Sequence, residues 1–128
     1  MTQPIRLIPA KLCRSLAMWL SDIDDTITTD GLLTDEGFAA LWALQRAGIE
    51  AVMVTGRPAG WCDHIARMWP VAAVVGENGA FYYSYDREAR RMRRVSLIAE
   101  EERREGQRRL ARVRERVLAE VPRCRIAS

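Results

Sequence analysis

Side chains that bind soft metals or do redox chemistry are scarce in this sequence. Among 128 residues there is one histidine, His64, and three cysteines, Cys13, Cys62 and Cys124. The cysteines are odd in number, lie far apart and form no CxxC pair, which argues against a structural zinc site. Reduced thiols in a cytoplasmic protein are the reading that remains. Lysine is nearly absent too: Lys11 stands alone, and the other nineteen of the 20 basic residues are arginines. The net charge of +3 is too small to imply a nucleic-acid partner, which calls for a concentrated basic face. No repeat or low-complexity tract is visible. The apolar N-terminal stretch LCRSLAMWL is short, contains Arg14 and runs into aspartates without a small-residue cleavage site, so neither a signal peptide nor a membrane span is expected.

What remains is a globular composition, 48% hydrophobic and 29% charged, at a length suited to one domain. Residues 16 to 21, LAMWLS, form a short apolar run that predicts a buried strand. After a polar turn, TDEGFAALWALQRAG places Phe38, Leu41, Trp42 and Leu44 at helical spacing, with Thr34 as a cap and Gly48 as a stop. A second strand is expected at 49 to 54. Pro58 then suits the first position of a helix carrying Trp61, Ile65 and Met68 inward, ended by Pro70. A third strand, 71 to 75, closes on the glycine-flanked turn GENG. Strand, helix, strand, helix, strand predicts a parallel sheet with right-handed crossovers. Residues 80 to 85 and 92 to 98 flank a polar stretch and predict a hairpin. From Ala99 to Val121 the chain predicts a helix with Leu110, Val113, Val117 and Val121 on one side. Its seven arginines and six glutamates between 100 and 120 balance, as in a solvated face, and Glu105 and Arg109 form an i,i+4 pair. Arg125, Ile126 and Ala127 resemble the start of another strand.

Ligands of open parallel sheets sit beyond the carboxyl ends of the strands. The first predicted strand delivers Asp22, Asp24 and Asp25 there, the second Thr55, Gly56 and Arg57, the third Glu77, Asn78 and Gly79. Strand alternation lets Asp22 and Asp24 share one space. Two charges about 4 Å apart at an effective dielectric of about 20 repel by roughly 4 kcal/mol, a large part of a domain's stability. A divalent cation relieves this most simply, and Mg2+ accepts one or two carboxylates and is completed by water and substrate phosphate. Asp22, ionised at neutral pH, can attack phosphorus, while a protonated Asp24 can serve the leaving oxygen and then activate water. Thr55, backbone N–H groups around Gly56, and Arg57 can hold phosphoryl oxygens. Asn78 on the third loop is a further candidate contact. His64, Cys62 and Trp61 are expected to be structural, Trp61 as a core anchor.

SDIDDTIT resembles the first signature of the haloacid dehalogenase superfamily of phosphohydrolases, and VMVTGRP its second. VVGENGA is similar to the sugar-phosphatase-like branch with a large α/β cap after the third strand. The resemblance implies an α/β fold, a partial Rossmann-like sheet of three parallel strands and two crossover helices in residues 1–80. A hairpin and the first helix of a cap would occupy 81–128. It implies a Mg2+-dependent phosphomonoester hydrolase acting through an aspartyl-phosphate on a sugar phosphate or similar metabolite. Asp22 would be nucleophile and Asp24 general acid/base, both at the metal, with Thr55 binding phosphate and Thr26 bonding within the loop. The family's later lysine and its Gly-Asp-x-x-Asn-Asp motif have no counterpart. The chain is therefore expected to be the front part of a protein about twice as long, slow or inactive alone. The competing readings are a receiver-like signalling module and a non-catalytic assembly partner.

Overall fold

The computed structural model describes Pro4 and residues 7–126. The chain divides into two compact units, residues 1–95 and 96–128. In the first, a short helix α1 (Ala10–Ser15) precedes strand β1 (Met18–Asp22). Two-residue strands β2 (Thr28–Thr29) and β3 (Leu32–Leu33) follow, then helix α2 (Asp35–Arg46) and strand β4 (Glu50–Val54). Helix α3 (Ala59–Met68), strand β5 (Ala73–Gly76) and the hairpin β6 (Phe81–Asp86) and β7 (Arg91–Ser96) complete the sheet. Its order is β1-β4-β5-β6-β7. β4 runs parallel to β1, with Asp22 opposite Val54, and parallel to β5, with Val54 opposite Val75. β6 is antiparallel to β5.

The α/β class and the three parallel strands joined by two helices agree with expectation, although the boundaries shift. β1 starts at Met18 and takes in Asp22, and β5 starts at Ala73 and takes in Gly76. Helix α2 forms where its caps dictate: the Thr34 side chain accepts from the Gly37 N–H at 3.1 Å, acids fill the first turn and Gly48 closes it at φ 75°. Pro58 is the N-cap of α3, one position before the expected one, because its extended backbone (ψ 167°) lies outside the helix. The inward stripe of α3 is Cys62, Ile65 and Ala66. Trp61 and Met68, expected inside, flank that stripe and are 53% and 63% exposed. At the far end of α3 the Arg87 guanidinium donates to the carbonyls of Arg67 (3.0 Å) and Trp69 (2.7 Å), meeting acceptors the helix leaves open.

A single cluster forms the core: Ile23, Leu41, Ala51, Met53, Cys62, Ile65, Ala66 and Val74, joined by Trp19, Phe81, Tyr83 and Met92. It lies on the sheet face covered by α2 and α3. On β1, period-two alternation sends Met18 and Leu20 to the other face, where they are 48% and 61% exposed. Asp63 ties α3 to the hairpin, accepting from Arg67 (2.6 Å) and Arg94 (3.0 Å).

The second unit holds helix α4 (Glu100–Glu120), close to the expected span. The Glu105–Arg109 pair forms at 3.3 Å, and no residue of α4 is buried. The strand expected at Arg125 does not form: residues 124–126 are irregular, and Ala127 lies outside the described residues.

Candidate active site

The ends of β4 and β5 are stitched together by backbone. The Thr55 N–H donates to the Val75 carbonyl (2.9 Å), the Asn78 N–H to the Thr55 carbonyl (3.2 Å) and the Glu77 N–H to the Arg57 carbonyl (3.3 Å). The loop after β5 achieves this with two non-glycine residues in the left-handed region, Glu77 (φ 48°) and Asn78 (φ 55°). Asparagine tolerates that region and glutamate does so at a cost, and such strain concentrates at functional sites. The sequence pattern assigned this turn to its glycines, and Gly79 does take a positive φ of 105°, whereas Gly76 has an ordinary φ of −110°. The Asn78 side chain lies over Gly56, where an added Cβ would stand 3.3 Å from its Oδ1.

The loop after β1 is organised by a hydroxyl, as expected, but a different one. Buried Thr28 donates to the Ile23 carbonyl at 3.0 Å and accepts from the Asp25 N–H at 3.2 Å, while Thr26 is exposed. Its signal was the Asp-Gly pair at 30–31, both at positive φ, which turns β2 into β3 as a tight hairpin and brings Thr28 inward.

Onto this frame the structure brings Asp24, Thr55 and Arg57. Arg57 Nε lies 3.1 and 3.2 Å from the two Asp24 carboxylate oxygens, and Nη2 lies 2.5 Å from Oδ1. Arg57 hydrogen bonds, opposed by desolvation and helped by its charge and by the Thr55 hydroxyl, hold the Asp24 carboxyl below the usual range. The same bonds raise Arg57. Thr55 is buried, and its Oγ accepts from the Arg57 N–H at 3.1 Å, fixing the hydroxyl at the mouth of the turn. The Arg57 guanidinium also lies 4.7 Å over the Trp61 ring. Sequence reasoning expected Arg57 to face phosphate and missed both partners, since Arg57 lies before the N-cap of α3, where helical spacing predicts no contact with Trp61.

Asp22 is exposed at the last position of β1, opposite the residue before Thr55, and takes no ion-pair partner among the described residues. Gly56 and Asn78 are exposed in the next two loops. Cys62 is fully buried, and burial first, then the charge of Glu77, pushes its thiol up, away from reactivity. His64 is exposed on α3. No group of three or more His, Cys, Asp or Glu side chains converges among the described residues. Two carboxylates at the end of β1, Asp22 and Asp24, could serve a cation, and Mg2+ takes one or two carboxylates and keeps its waters.

No curated protein matches the chain. A solved phosphatase of the haloalkanoate (HAD) enzyme superfamily from Bacteroides thetaiotaomicron superposes with a TM-score of 0.52 at 24% identity. The match covers 88% of this chain and 40% of that one, so the chain spans well under half the length of that phosphatase. The sequence profile of haloacid dehalogenase-like hydrolases matches residues 19–102, a stretch that runs from β1 into α4 and contains every residue of the site. With more than half of its length matched in this way, the chain belongs to the haloacid dehalogenase-like hydrolase family.

Proposed function

We propose that the chain carries the phosphoryl-accepting part of a Mg2+-dependent phosphomonoester hydrolase of the cytoplasm, acting on a sugar phosphate or similar small metabolite. In this reading residues 1–80 are the front of the catalytic core, and 81–128 are the hairpin and the start of a cap. The observation that carries it is the joining of Asp24, Thr55 and Arg57 at the carboxyl ends of β1 and β4, with exposed Asp22 two residues before Asp24. This is where an open α/β sheet takes its ligand.

Asp22, exposed and unpaired among the described residues, is the nucleophile that attacks phosphorus. Asp24 moves the proton, to the leaving oxygen and then from the attacking water. Thr55, the backbone at Gly56, Arg57 and Asn78 receive the phosphoryl oxygens. Asp22 and Asp24 would hold Mg2+, which when bound supplies the positive charge that lets a carboxylate approach a phosphate dianion. Among the described residues no helix is long and apolar enough to cross a membrane.

Phosphate release from p-nitrophenyl phosphate in Mg2+ tests this. The chain is expected to release phosphate slowly, and Asp22→Asn to abolish release while leaving thermal stability within a degree or two. Undiminished release by Asp22→Asn would overturn the assignment.

A further inference from the structure

Trp61 is the residue for which burial and position disagree with a structural role. It sits in the first turn of α3, it is 53% exposed, and it lies outside the core cluster. An exposed indole of this kind contributes little to packing. Its recorded partner is the Arg57 guanidinium, stacked at 4.7 Å. That guanidinium is held on a second side. Nε and Nη2 are committed to Asp24, whereas Nη1 takes no partner among the described residues. A long arginine side chain has several rotatable bonds and loses its geometry readily at a half-exposed site. One carboxylate fixes an edge of the group but leaves it free to rotate about that edge. A ring against its face removes this last freedom.

We infer that Trp61 is a positioning residue, whose ring fixes the plane of the Arg57 guanidinium so that Nε and Nη2 stay on Asp24 while Nη1 is kept for an oxygen of the substrate phosphate. The inference rests on the phosphatase reading for the identity of the anion, but the clamping of Arg57 stands apart from it. One arginine then serves two groups at once, aligning the proton-transferring carboxylate and meeting the phosphate. Lysine, a point charge without a planar fork, cannot do both.

The test compares wild type, Trp61→Ala and Trp61→Phe as the full chain, with two readouts. The first is exchange of the Arg57 Nε–H with water, followed by 15N NMR and assigned with Arg57→Lys. The second is the affinity for inorganic phosphate, followed through the amide resonances of Thr55, Gly56 and Arg57. Trp61→Ala is expected to speed the Nε–H exchange and to weaken phosphate about two- to fivefold, the equivalent of an exposed cation–π contact. Trp61→Phe should restore most of both, and amides remote from the site should not move in either variant. Unchanged Nε–H exchange in Trp61→Ala overturns the inference, as does a failure of phenylalanine to bring the faster exchange back toward the wild-type rate. If wild type binds no phosphate, the phosphatase reading fails, and the exchange measurement alone decides the role of Trp61.

Discussion

Arg57 grips Asp24 with two nitrogens, one of them within 3.2 Å of both carboxylate oxygens. That grip keeps Asp24 ionised, which suits a base awaiting water and opposes an acid awaiting a leaving group. The acid role therefore works against the Arg57 pair, and its weight should depend on how much the leaving group needs a proton. Asp24→Asn is expected to slow phosphoryl transfer from an alkyl phosphate by about 10²–10⁴-fold. Transfer from p-nitrophenyl phosphate, whose leaving group departs unprotonated, should fall at least tenfold less. Single-turnover rates for the two esters check this, and equal losses would remove Asp24 from the proton transfer.

Gly76 ends β5 where nothing larger fits. An added Cβ would lie 2.3 Å from Phe81 Cζ and 2.7 Å from Cys62 Sγ, both in or against the core. The Phe81 ring is backed by Tyr83, 4.8 Å between centroids, and cannot simply swing aside. Gly76→Ala is expected to lower stability by about 1–3 kcal/mol in urea denaturation. The double variant with Phe81→Leu should recover part of that loss, since the two changes share one space.

Gly37 sets two effects against each other inside α2. Alanine is the better helix former by about 1 kcal/mol. Yet its Cβ would stand 2.7 Å from the Ile27 carbonyl oxygen, a backbone atom, and 3.3 Å from the Thr34 hydroxyl that caps the helix. Backbone yields less readily than a side chain, so the clash decides the sign. Gly37→Ala is expected to destabilise, and a gain in the urea midpoint would show that the loop at Ile27 shifts freely.

Much of this site is legible in the sequence. Apolar runs in β4 and β5 marked strands buried in a sheet interior, and Thr34 with Gly48 marked the ends of α2, because caps and burial patterns are local. Asp22, Asp24, Thr55 and Arg57 could be placed at strand ends for the same reason. Contacts between distant segments could not. Arg57 reaches Asp24 across 33 residues, and no pattern distinguished that partner from a phosphate ligand. Trp61 was misplaced because aromatic bulk argues for burial, whereas the ring lies beside the inward stripe of a short helix. The turn after β5 does use Gly79 at positive φ, but no local sign marks Glu77 and Asn78 as taking a left-handed backbone as well.

Asp63 offers a pH test removed from the chemistry. Its carboxyl is held below the usual range by the Arg67 hydrogen bonds first and by Arg94, against desolvation, and it joins α3 to the hairpin. Because the folded pKa is depressed, the pair's stabilisation is complete above the unfolded aspartate value of about 3.9. It is lost as pH falls through the folded value. The two arginine side chains are 39% and 61% exposed, so solvent screening leaves about 0.5–1 kcal/mol. Asp63→Asn is thus expected to destabilise by that amount at pH 7 and equally at pH 5, with the gap to wild type closing only as pH falls below the unfolded value of about 3.9 and through the depressed folded one. Urea unfolding at these pH values measures it. A gap that stays undiminished all the way down the acid limb would mean that Asp63 acts through its shape and packing and not through its charge.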